Sequence, residues 1–106
     1  MPTARARLPA LEWRPQASAD LMDIVAAIAD DNPDAAQMLK GEIEAKAAKL
    51  PQHPKLYKPS QRVKGTREVV IRSDYMMFYR ETPARIEIVN VVHARRQWPP
   101  ARKTKP

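Results

Sequence analysis

The chain has 106 residues, room for one small domain. It carries 19 lysines and arginines against 12 acidic residues, a net charge of +7, and no cysteine. Disulfide scaffolds, thiolate metal sites and cysteine nucleophiles are excluded; the charge favours an acidic partner, nucleic acid or protein, or else serves solubility alone.

Residues 1–8 read as a flexible basic arm carrying Arg5 and Arg7, followed by a folded core over 11–99 and a basic tail over 100–106. The arm has no apolar segment behind its charges, so no secretory signal is expected. No stretch of the chain approaches the roughly 20 apolar residues that span a membrane. "LEWRP" predicts a short strand, with Leu11 and Trp13 on one side and Glu12 and Arg14 on the other. Pro15 ends the strand and suits the first turn of a helix.

"SADLMDIVAAIAD" predicts an amphipathic helix whose apolar stripe is Leu21, Ile24, Val25 and Ile28. Asp20 and Asp23 lie in its N-terminal half, where the helix dipole favours negative charge. In "DDNP", Asn32 is a good N-cap and Pro33 a good first residue for a second helix. That helix, "DAAQMLKGEIEAKAAKL", buries Ala36, Leu39, Ile43, Ala47 and Leu50, and Glu42–Lys46 is a favourable i,i+4 pair. Gly41 either weakens it or permits close packing on the first helix. The short connection makes the two an antiparallel hairpin.

"QHPKLYKPSQRVKG" is a long basic loop, functional or mobile. Lys55, Lys58, Arg62 and Lys64 around Tyr57 suit single-stranded nucleic acid, by stacking and phosphate contact. Packing of Leu56 and Tyr57 beneath the loop accounts for the pattern equally well. The last third predicts three antiparallel strands, "TREVVIR", "YMMFYRE" and "RIEIVNVVH", joined by the turns "SD" and "TPA". Tyr75, Met77 and Tyr79 share one face of the middle strand, Met76 and Phe78 the other. The fold class is α+β: strand, two helices, three antiparallel strands, the helical hairpin on one sheet face. The second face is expected to stay partly apolar and exposed as a protein-binding surface, unless a terminal segment folds over it.

The order of "W-x-P-x-A-x-x-D-L" (Trp13 to Leu21), "I-A-D-D-N-P-D-A-A" (Ile28 to Ala36), "L-x-x-x-P" (Leu50 to Pro54), "R-V-K-G-T-R-E-V" (Arg62 to Val69), "Y-M-M-F-Y-R" (Tyr75 to Arg80) and "V-V-H-A-R-R-Q-W-P" (Val91 to Pro99) resembles the ParE/RelE toxin superfamily. The match covers about 11–99 and looks closest to the ParE branch. The resemblance implies a cytoplasmic toxin of a type II toxin–antitoxin module, acting on DNA gyrase and neutralised by a cognate antitoxin in a hetero-oligomer. The other branch of the superfamily consists of ribosome-dependent messenger-RNA endonucleases, and a degenerate member that only binds antitoxin is a third reading.

RelE-type nucleases place alternating lysines on the first strand after the helices and an arginine just after the tyrosine that opens the next. A second arginine lies near the end of the last strand, and a tyrosine in a C-terminal helix. The corresponding positions here hold Glu68, Val70 and Met76; Arg95 or Arg96 matches the late arginine, and no tyrosine follows Pro99. These residues do not gather phosphate charge, so the gyrase reading is preferred. If the chain is a nuclease, its candidates are His93, Arg95 and Arg67.

For a surface facing gyrase or nucleic acid the candidates are Arg67, Arg80, Arg95, Arg96 and Trp98. Arg67 and Arg80 read either as a joint basic ridge or as cross-strand ion pairs with the neighbouring Glu68 and Glu81. Antitoxin binding is expected at Tyr75, Met77, Tyr79 and Arg80. No histidine pair or carboxylate cluster has metal-ligand spacing, and no metal or other cofactor is expected.

Overall fold

A computed structural model describes residues 8–94 of the chain. The elements follow the order β1 (Ala10–Trp13), α1 (Pro15–Ala29), α2 (Pro33–Ala48), β2 (Arg67–Ile71), β3 (Tyr75–Glu81) and β4 (Arg85–His93). The sheet order is β1-β4-β3-β2. β2, β3 and β4 form an antiparallel meander, while β1 crosses over and pairs parallel to β4, Ala10 against Arg85 through Trp13 against Ile88. Among the described residues no helix is long and apolar enough to cross a membrane.

Pro15 opens α1 with a ring already set for helical φ. Asn32 caps α2, its side-chain oxygen accepting the Ala35 N–H at 3.0 Å, a device worth about 1 kcal/mol. The helical hairpin lies on one sheet face. Leu21 and Val25 of α1 meet Ala36, Leu39, Ile43 and Ala47 of α2, and both rows meet Val69, Ile71, Met77, Tyr79, Ile86, Ile88 and Val91 of the sheet. Leu50 closes this core just after α2, and Ile24 and Ile28 line its margin.

Two expectations for α2 change. Glu42 does not pair with Lys46; it accepts from Arg72 Nε at 2.6 Å, and the helix's own pair is Lys40–Glu44 at 3.0 Å. Arg72 and Ser73 form the β2–β3 turn with φ of 57° and 59°, the left-handed region that a tight hairpin turn demands. The grip of Glu42 on Arg72 ties that strained turn to the helix. Gly41 is exposed, and a Cβ there would meet nothing within 4 Å, so close helix packing is not its role. Gly41→Ala is therefore expected to stabilise the protein by about 1 kcal/mol, read as a raised urea midpoint with unchanged slope.

The acids of α1 also serve differently. No acid occupies its first turn. β1 stops where Trp13 faces Ile88, and among the described residues the outer edge of β4 beyond that point has no strand partner. Asp20 Oδ2 fills the gap, accepting the Val91 N–H and the Asn90 side-chain amide, both at 3.0 Å. The carboxylate thus pins α1 to β4 and satisfies an N–H that β1 is too short to reach.

Candidate functional site

The strand period of two decides what each sheet face carries. Register places Glu68 beside Phe78 and Val70 beside Met76, so these four share the face away from the helices. Arg80 comes next on the same face, paired with Glu87 of β4. This face is not an open apolar surface. Met76, Phe78 and Val92 form a second cluster, Phe78 with no exposure at all, and Val63 and Ala94 pack against it. Val70 remains exposed there.

The helix face corrects the expected antitoxin set. Met77 and Tyr79 are fully buried in the main core, so in this fold they support the sheet and present no surface. Tyr79 also donates its hydroxyl to the Pro54 carbonyl at 2.7 Å, and burial pushes its pKa up. Of that set, Tyr75 is half-buried and Arg80 exposed.

Arg80 belongs to a charged network on the face away from the helices. Its Nε and Nη2 both donate to Glu87 Oε1, at 3.0 and 2.7 Å. Next to it, Arg85 meets Glu12 at 2.6 Å and Arg14 meets Glu12 at 3.5 Å. Three arginines around two carboxylates leave an excess positive charge at this end of the sheet. The expected partners Glu68 and Glu81 take no part; Glu81 pairs with Lys55 at 2.9 Å. Of this network, only the outward orientation of Glu12 and Arg14 can be derived from local alternation. Arg85 and Glu87 join it through the parallel β1–β4 pairing and the β3–β4 register.

The hydrogen bond from Arg80 holds the Glu87 carboxyl below the usual carboxylate range; desolvation opposes the shift, and the charges of Arg80, Arg14 and Arg85 add to it. In the unfolded chain Glu87 regains its ordinary pKa. Its contribution to stability is therefore complete above the ordinary range and is lost as pH falls through the lowered folded value. Urea midpoints measured from about pH 6 down to about pH 3 should fall less steeply in Glu87→Gln than in the wild-type chain.

Of the three nuclease candidates, the two among the described residues, Arg67 and His93, stand apart. Arg67 faces Tyr79 in the register and donates to the Tyr57 carbonyl at 2.7 Å. His93 faces Tyr75, four residues away along β3, its ring edge-on to the tyrosine with centroids 5.1 Å apart. At about 3.3 Å per strand residue, the two lie about 13 Å apart along the sheet alone. Arg67 and Arg80 also fall on opposite faces, so they make no common ridge. His53 adjoins Pro54, at the Tyr79 end of β3, away from His93. Arg95, Arg96 and Trp98 lie outside the described residues.

His93 instead lines a cavity of about 190 Å³ with Tyr75, Asp20, Asp23 and Ile28, where α1 crosses the open part of β4. Among the described residues no group of three or more histidines and acids could hold a metal ion.

The sequence model for the ParE toxin of the type II toxin–antitoxin system parDE matches residues 11–98. The chain belongs to the ParE toxin family. The toxin is 36% identical over 90 residues to Y4kP of Sinorhizobium fredii, a protein designated a presumed toxin, covering 84% of this chain and 92% of that one. Its fold is similar to that of a chromosomal ParDE toxin–antitoxin system from P. aeruginosa, with TM-score 0.73 and 22% identity over 81% of this chain and 96% of that one. The toxin–antitoxin complex RelBE2 of Mycobacterium tuberculosis is also similar, with TM-score 0.56 and 21% identity over 82% and 99% of the two chains. The expected α+β architecture is the observed one, with the parallel β1–β4 pairing added to it.

Proposed function

We propose that this ParE-family toxin acts by inhibiting DNA gyrase in the cytoplasm and is neutralised in a hetero-oligomer with a cognate antitoxin. One observation carries the choice of target. Glu68, Val70 and Met76 share a single sheet face, and the resemblance to the superfamily matches them to the positions where RelE-type nucleases carry their phosphate-gathering side chains. A carboxylate and two apolar groups repel or ignore a transition-state phosphate, so this face supports binding rather than RNA cleavage. An antitoxin that is acidic where it touches the toxin suits the excess charge around Arg14, Arg80 and Arg85.

Induction of the toxin in growing cells, with pulse labelling of DNA and protein, tests the target. DNA synthesis should halt first, with messages intact, and co-expressed antitoxin should restore it. Immediate arrest of translation with cleaved messages would replace this reading with the nuclease one. Arg95 and Arg96 are proposed as charge donors to the target or the antitoxin. Arg95→Ala combined with Arg96→Ala is expected to reduce toxicity at least tenfold, about 1.4 kcal/mol of interaction, with an unchanged unfolding midpoint. Full toxicity in the double variant would remove them from the site.

A further inference from the structure

We propose that the loop between α2 and β2 contacts the phosphate backbone of duplex DNA through Lys58, Arg62 and Lys64. The loop is anchored on both faces of the sheet. Tyr57 packs into the main core, edge-on to Tyr79 with ring centroids 6.5 Å apart, while Val63 packs on the Met76–Phe78–Val92 cluster of the opposite face. Its backbone adds a short pairing to the outer edge of β2: Pro59 bridges Arg67, the Ser60 N–H donates to the Thr66 carbonyl, and the Glu68 N–H donates to the Lys58 carbonyl. Ser60 Oγ then accepts from the Arg62 and Val63 N–H groups, both at 3.0 Å.

With Tyr57 and Val63 turned inward, the cations are left outside. Lys58, Arg62 and Lys64 are exposed and form no ion pair among the described residues. Lys55, by contrast, is occupied by Glu81, and Arg67 by the Tyr57 carbonyl. A cleft of about 340 Å³ is lined by Lys58, Pro59, Gln61, Arg62 and Glu68.

The kind of polyanion is set by what the loop lacks. Single-strand binders stack bases on exposed aromatic rings. Tyr57 is half-buried, packed against the main core and edge-on to Tyr79, which argues against the stacking role its sequence position suggests. Protein interfaces centre on aromatic or aliphatic anchors, and the loop's exposed apolar residue, Leu56, precedes the cation triplet. Repeated, sequence-independent phosphates match three cations held on an ordered backbone, which loses little freedom on binding. In the gyrase reading such a contact holds the toxin to the DNA that the enzyme carries.

The experiment omits gyrase, so its failure is separable from failure of that reading. Fluorescence anisotropy of a labelled duplex is measured across a salt series for three full-length proteins. They are the wild type, a triple variant (Lys58→Gln, Arg62→Gln, Lys64→Gln) and a charge-matched control (Lys40→Gln, Lys46→Gln, Lys49→Gln). The triple variant should keep its unfolding midpoint and lose affinity, its log–log salt slope falling by about 2–3 relative to wild type, while the control stays close to wild type. Glu68→Gln should tighten binding, because its carboxylate stands in the cleft wall. Equal losses in the triple variant and the control would reduce the effect to net charge and overturn the proposal. So would a wild-type protein that ignores duplex, or a triple variant that keeps duplex affinity and loses only binding to a polyglutamate peptide.

Discussion

Replacing Asp20 by alanine is expected to cost about 3 kcal/mol of stability, more than any surface substitution on α1. The carboxylate accepts two hydrogen bonds from β4, one from the Asn90 amide and one from the Val91 backbone, and a third from Gln16 at 2.9 Å. Removing it leaves the Val91 N–H with no acceptor, in a residue only 2% exposed. Hydrogen bonds to charged groups carry larger energies than neutral ones, and an orphaned buried donor adds its desolvation cost. Asp20→Asn should recover part of the loss, since an amide oxygen can still take the Val91 N–H. The measurement is chemical unfolding of the three proteins side by side. A loss below about 0.5 kcal/mol in the alanine variant would mean that α1 is held to β4 by apolar contact alone.

Phe78→Ala is expected to be still more damaging, at about 3–5 kcal/mol. Phe78 has no exposed surface, although it lies on the sheet face away from α1 and α2. If that face were a vacant docking surface, truncating the ring would spare the fold and abolish partner binding. Because Phe78 is the centre of a second core, its truncation should instead lower the unfolding midpoint sharply. Its neighbour in the pattern, Val70, is 52% exposed and serves as the comparison. Val70→Ala should change stability by less than about 0.5 kcal/mol. Equal midpoints for the two variants would return the face to the role of an interface.

The helices are legible in the sequence because their signals are local. Asn32–Pro33 marks the start of α2, and the spacing of Leu39, Ile43 and Ala47 marks its buried side. Alternation likewise sorts Met77 and Tyr79 from Met76 and Phe78. It does not show which face lies under the helices, and so it places two core residues at the antitoxin surface. The parallel pairing of β1 with β4 is set by tertiary packing across some seventy residues of sequence, and no turn or cap announces it. Everything built on that pairing is therefore out of reach of local pattern, including the Arg85–Glu12 contact and the Asp20 clasp at the edge β1 leaves open. For Arg80, sequence alone offers a charged ridge or an ion pair. The ion pair exists, but with Glu87, which the register rather than sequence adjacency supplies.

Supercoiling of relaxed plasmid by purified gyrase, titrated with this toxin, tests the proposed target most directly. Supercoiling should fail as toxin is raised, and cleaved gyrase–DNA complexes should accumulate. Addition of the cognate antitoxin should reverse both effects. Undiminished supercoiling at saturating, correctly folded toxin would contradict gyrase as the target.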